Sequence, residues 1–156
     1  MRTKDRVRVG SNVHLELFGP DGQLKEERWA HNIIPTVGLN YIADRMTLSP
    51  GSTIMGYMAV GTSSTSPSAG DTQLGAEVAA SRTALSSMTD FGAIVTHVAT
   101  FGAGVGTGGL QEAGIFNDAT AGLGAMLARL TFAIVNKGAL DTLQVTWTVT
   151  FGDDGI

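Results

Sequence analysis

The residues that could do chemistry are few and scattered. His14, His31 and His97 are the three histidines. They lie far apart and lack the short spacings by which a helix or a tight loop presents metal ligands. Ordinary surface or sheet histidines are the simpler reading, and no metal site is assigned. Serine, histidine and aspartate are all present, but no Gly-x-Ser-x-Gly elbow is, so nothing marks an activated nucleophile. Gly104-Val105-Gly106-Thr107-Gly108-Gly109 has the letters of a dinucleotide-binding glycine motif. That motif needs a helix after it and an acidic residue some twenty positions on. Residues 110–116 read as a strand instead, so the glycines read as a flexible turn and no cofactor is expected. Glu112 stands alone in an apolar, glycine-rich segment. A carboxylate buried there needs a partner, and Arg129 is the candidate. A structural ion pair is the preferred reading over a catalytic acid. Asp153-Asp154 reads as a solvated acidic pair before a cation site. Trp29 and Trp147 read as core or interface anchors before ligand platforms. No set of residues amounts to a catalytic site, and the chain is not expected to be an enzyme.

The elements that would carry these residues are mostly strands. Leu143, Val145, Trp147, Val149 and Phe151 alternate with Gln144, Thr146, Thr148 and Thr150, the period of a half-buried strand. Residues 126–135 alternate as well. Asn136, Gly138 and Asp141 between them have reversing-turn chemistry, so residues 126–151 are expected to form a long antiparallel hairpin. Val13, Leu15 and Leu17 alternate up to the turn signal Gly19-Pro20-Asp21-Gly22, and residues 24–34 return. Pro35 suits a helix start. Leu39, Ile42, Ala43 and Met46 then recur at helical spacing, which predicts a short amphipathic helix over about residues 36–47. Residues 54–60 read as a strand, and residues 61–70 as an exposed, mobile polar loop. Asp71 could cap one helical turn through Glu77. Residues 82–90 read as a weak strand and residues 94–101 as a stronger one. The fold class is mainly β: a single antiparallel β-sandwich or jelly-roll-like domain of about eight strands. Residues 13–156 form that domain, preceded by a basic N-terminal arm over residues 1–12.

Composition narrows the partners. The chain has 156 residues, 43% of them hydrophobic and only 15% charged, with a net charge of −4. An acidic balance argues against a general nucleic-acid partner. No apolar run approaches the ~20 residues of a membrane span, and no apolar signal segment follows the charged N-terminus. With no cysteine, disulfides and thiolate sites are excluded, and the redox compartment is left open. Few charges and many Thr, Ser, Ala and Gly suggest a surface partly covered by other chains.

Four pieces in order carry a resemblance. They are the hairpin around Gly19-Pro20-Asp21-Gly22; the run from Asn32 through Ile33-Ile34-Pro35 to Ala43; Met58-Ala59-Val60-Gly61-Thr62 leading to Asp71 and Glu77; and Gly109-Leu110-Gln111-Glu112-Ala113-Gly114-Ile115-Phe116 with residues 126–132. Together they cover most of residues 13–151 and resemble small structural proteins of tailed-bacteriophage virions. The resemblance implies a protein made in the host cytoplasm and placed on the virion, without an active site. It fits a capsid decoration (cement) protein, or a tail-, collar- or fibre-base-associated protein. One compact domain without heptads or a repetitive shaft favours decoration over a fibre. The expected partners are then the major capsid protein and copies of the chain itself, as a dimer or trimer. A carbohydrate-binding β domain is the remote alternative. Contacts are expected from the arm (Arg2, Lys4, Arg6, Arg8), the loop residues Ser63, Ser64 and Thr65, the turn glycines Gly104 and Gly106, and Trp29, because loops and termini reach partners while a sheet core holds them.

Overall fold

The computed structural model describes residues 7–47 and 49–153, the side chain of Asp153 apart. Nine strands and one helix follow in the order β1 (Val7–Phe18), β2 (Leu24–Ala30), α1 (Thr36–Arg45), β3 (Tyr57–Gly61), β4 (Thr83–Ala84), β5 (Ser87–Phe91), β6 (Ile94–Phe101), β7 (Gly108–Phe116), β8 (Met126–Lys137) and β9 (Thr142–Asp153). They build two antiparallel sheets, β2-β1-β9-β6-β5 and β4-β3-β7-β8. The two sheets share one apolar core, an antiparallel β-sandwich as the alternating strands lead one to expect. Val13, Leu15 and Leu17 of β1 and Val145, Trp147 and Val149 of β9 meet Met58, Val60, Ala113, Ile115, Ala128 and Leu130 of the other sheet.

The opening hairpin forms, but its returning strand ends at Ala30 rather than Ile34, and Ile33 bridges to Arg129 of the other sheet. Gly22 sits at φ +78° and donates to the Gly19 carbonyl at 2.9 Å, while the Gly19 amide donates to the Gln23 carbonyl. This positive φ is one that glycine adopts without steric penalty.

Four expectations are corrected. The first is the hairpin over residues 126–151. β8 pairs with β7, whereas β9 runs between β1 and β6 in the opposite sheet. The turn after Lys137 therefore carries the chain across the sandwich. Alternation reports which face of a strand is buried and says nothing of its neighbour. The second is the weak strand over residues 82–90. It divides, with Thr83–Ala84 joining β3 and Ser87–Phe91 joining β6 in the other sheet. The third is the helical turn after Asp71, where the chain instead runs irregularly to Ala80. The fourth is the arm. Residues 1–6 lie outside the described residues, but Val7–Asn12 are the first half of β1 and pair in register with Asp153–Thr148 of β9.

α1 forms where the spacing places it but docks through another face. Its buried residue is Gly38, and a Cβ there would collide with the Leu127 carbonyl of β8. Tyr41 anchors the helix by accepting from the Met55 amide at 3.0 Å. Of the apolar stripe, Ile42 packs against the core while Leu39, Ala43 and Met46 are exposed.

Candidate functional site

Two arginines organise the polar part of the molecule. Glu112 and Gly114 on β7 and Arg129 on β8 point away from the main core, on the outer face of the four-stranded sheet. A strap of residues 62–82 crosses that face. Leu74 seats on Phe116, Met126 and Ala59 in a small second core. It presses so closely that a Cβ on Gly114 would meet its Cδ2 at 3.0 Å.

Beneath the strap, Glu112 is 0% and Arg129 2% exposed. Arg129 donates to Glu112 Oε2 through Nε at 3.0 Å and through Nη2 at 2.8 Å. Its Nη1 donates to Asp71 Oδ2 at 2.7 Å, and Nη2 also reaches the Thr65 carbonyl at 3.0 Å. Glu112 accepts three strap amides as well: Ala76 at 2.6 Å, Gly75 at 2.9 Å and Ser63 at 3.3 Å. The pair is thus the structural one that the lone carboxylate required. Burial raises the Asp71 carboxyl, but the Ser68 amide and hydroxyl and the Arg129 guanidinium outweigh it. The group lies below the ordinary aspartate value. Asp71, read as a helix cap, is therefore a strut between strap and sheet.

Arg82 is the second hub. It donates to Glu77 at 2.9 Å, Gln73 at 2.7 Å and the carbonyls of Asp118 and Leu123 at 3.0 and 2.9 Å. Its guanidinium lies 3.8 Å above the Phe116 ring. The sequence gives no warning of this role, because a lone arginine beside serines and threonines carries no spacing signal.

A third cluster closes one end of the sandwich. Lys25 donates to Asp141 at 2.8 Å and Lys137 donates to the Gly102 carbonyl at 2.8 Å. The Lys25 ammonium and the Gly138 amide hold the Asp141 carboxyl low. Burial lowers the Lys137 ammonium, with Asp141 opposing.

The opposite end is apolar. There β1 and β9 begin and end, α1 lies alongside, and a groove of about 700 Å³ opens among Val7, Leu39, Ile42, Met46, Ile54, Met88, Val149 and Phe151. His97 lies in its wall, 3% exposed, with no hydrogen-bond partner for Nδ1. Burial lowers its pKa to about 4, against a smaller opposing effect of the Trp147 backbone. Arg45 sits at the rim and donates to the Ser52 carbonyl at 3.1 Å.

The expected contact residues do not gather in one place. Ser63 and Thr65 lie in the strap, fixed by Glu112 and Arg129, so the loop expected to be mobile is tied down; Ser64 beside them is exposed. Gly104 (φ +76°) and Gly106 (φ +60°) shape the turn at the ion-closed end, where the Gly104 amide donates to the Ala139 carbonyl at 2.8 Å. Trp29 is 62% exposed on the outer face of the five-stranded sheet, with its ring stacked on His14 at 4.0 Å. Arg8 is exposed on β1 opposite Gly152. Arg2, Lys4 and Arg6 lie outside the described residues. Trp147, by contrast, is core.

Among the described residues, no three His, Asp or Glu side chains converge as a metal site. No helix there is long and apolar enough to cross a membrane. The chain matches no protein-family model, and neither curated proteins nor solved structures give a significant match.

Proposed function

We propose that the chain is a non-enzymatic structural protein of a tailed-bacteriophage virion. In this reading it is a decoration protein that binds the assembled shell of major capsid protein and holds neighbouring subunits together. The ordered resemblance of residues 13–151 to such proteins motivates the reading. The observation that carries it is where the polar chemistry goes. Glu112, Arg129, Asp71 and Arg82 direct their hydrogen bonds inward, onto the strap and the sheet. That spends charge on rigidity. A rigid surface loses little conformational entropy when it docks, which suits a part that must grip. A ligand that binds the assembled shell and not free subunits adds its binding free energy to shell stability. Repetition at symmetric positions multiplies the effect.

The contact candidates that remain are the strap surface around Ser64 and Thr65, the turn carrying Gly104 and Gly106, and Trp29, with the charged residues 1–6 as a further grip. Quantitative mass spectrometry of purified virions tests the reading. Hundreds of copies per particle are expected. A handful would move the protein to the tail, collar or fibre base, and absence from virions would end the proposal.

A further inference from the structure

The helix stripe Leu39, Ile42 and Met46 is apolar, and it lines an open groove. Around that groove Val7, Leu39, Met46, Ile54 and Met88 are between 44% (Met88) and 83% (Met46) exposed. These five expose on the order of 500–600 Å² of mainly apolar surface, and the half-buried Val9, Ile42, Val95 and Phe151 add to it. The largest patch on an ordinary monomer is ~300–600 Å². One partner in a standard protein interface buries ~800 Å².

The chain's own first residues are poor filling for it. Met1-Arg2-Thr3-Lys4-Asp5-Arg6 carries four charges in six residues, and an apolar groove would strip their hydration. The groove itself offers such charges no acidic partner among its lining residues. What does match it stands on its own rim. On α1, Met46 and Leu39 form one wall of the groove and, largely exposed, also project from it as apolar knobs. A surface holding both knob and hole is self-complementary, as a twofold contact requires. Arg45 stays at the rim, where water can still reach it.

We propose that this face is a twofold contact between two copies of the chain, with each copy's α1 seated in the other's groove. The inference deepens the expectation of self-association that accompanies the decoration reading and names its surface. It does not depend on shell binding. Decoration is tested on particles and this contact in free solution, so either can fail alone.

The test is analytical ultracentrifugation of the full chain from low micromolar to submillimolar concentration. A species of twice 16.2 kDa is expected. Met46→Glu and Leu39→Glu place a charge on exposed positions, so the fold should survive, and circular dichroism checks that it does. Each should weaken association by about 100-fold, since an unpaired charge would be buried in the contact. Thr100→Glu, on the outer face of the five-stranded sheet, should leave the mass unchanged. A wild-type chain that stays monomeric throughout overturns the proposal. So does an oligomer that neither groove substitution dissociates. Small apolar molecules that fill the groove of a monomer without any change of mass would overturn it as well.

Discussion

Arg129→Met is the sharpest perturbation of the clamp beneath the strap. The substitution keeps an unbranched apolar stem and removes the guanidinium. Glu112 then remains fully enclosed, with the amides of Ser63, Gly75 and Ala76 but without its two bonds to Arg129 at 3.0 and 2.8 Å. Asp71 and the Thr65 carbonyl lose their guanidinium contacts at the same time. Breaking a buried ion pair from one side costs about 3–5 kcal/mol. The three surviving amides place Arg129→Met toward the lower end of that range. Glu112→Leu falls in the same range, because it orphans those three amides, at ~1–3 kcal/mol for each unsatisfied group, while Arg129 keeps Asp71 and the Thr65 carbonyl. Against a total stability of about 5–15 kcal/mol for a domain, either loss is large. Urea unfolding followed by the fluorescence of buried Trp147 measures it. The loss should change little with added salt, since water-excluded pairs are weakly screened. Limited proteolysis within residues 62–82 should rise in parallel. A loss below about 1 kcal/mol for Arg129→Met would refute the argument that this pair fastens the strap.

The remaining predictions address other links. His97 is neutral in the fold, with its pKa lowered from 6.5 to about 4, so its contribution is complete above 6.5 and lost as the pH falls toward 4. The urea midpoint should drop across that window by the equivalent of about 3 kcal/mol, and His97→Gln should flatten the drop. Below 3.8 the aspartates held low, Asp44, Asp71 and Asp141, lose their contribution next, as a separate and more acidic phase. Gly38→Ala should destabilise by about 1–3 kcal/mol through overpacking against the Leu127 carbonyl, measured as a lower melting temperature. Removing residues 1–6 should lower occupancy on particles without moving the melting temperature, whereas removing 1–12 should lower it sharply, because Val7–Asn12 are β1 residues paired with β9.

What the sequence revealed was local periodicity and unavoidable pairing. Alternation located most of the strands, the Gly-Pro-Asp-Gly turn located the first hairpin, and helical spacing located α1. An isolated carboxylate among apolar residues had to find a cation, and Arg129 was the right one. Topology was not legible. β8 and β9 are both alternating and separated by a short turn, yet the chain changes sheets between them. The same happens between β4 and β5, where Leu85 and Ser86 alone make the crossing. Leu85 has no turn chemistry, and Ser86 carries only the weak hydroxyl signal of a turn residue. The docking face of the helix was not legible, because a period shows that a stripe exists, not what covers it. Gly38 could not declare itself as the seat without Leu127 opposite. Asp71 satisfied a helix-cap pattern equally well on paper, but its carboxylate was drawn to a guanidinium 58 positions away.

The two ends of the sandwich make opposite use of the same problem. Every open end of a β-sandwich exposes the edge of its core. At one end the chain closes that edge with Lys25, Asp141, Lys137 and tight turns. At the other, β1 and β9 run on past the core, and α1 holds its apolar stripe beside them rather than over them. Only 15% of residues are charged, and none of the residues lining this groove is acidic. An apolar end that no described residue covers is an aggregation liability unless it has a defined partner. Selection could have removed that liability with a single acidic residue at Leu39 or Met46, both of which tolerate exposure. The apolar residues standing there are what a contact surface needs, and a folded but non-associating Met46→Glu chain would separate the demands of contact from those of folding.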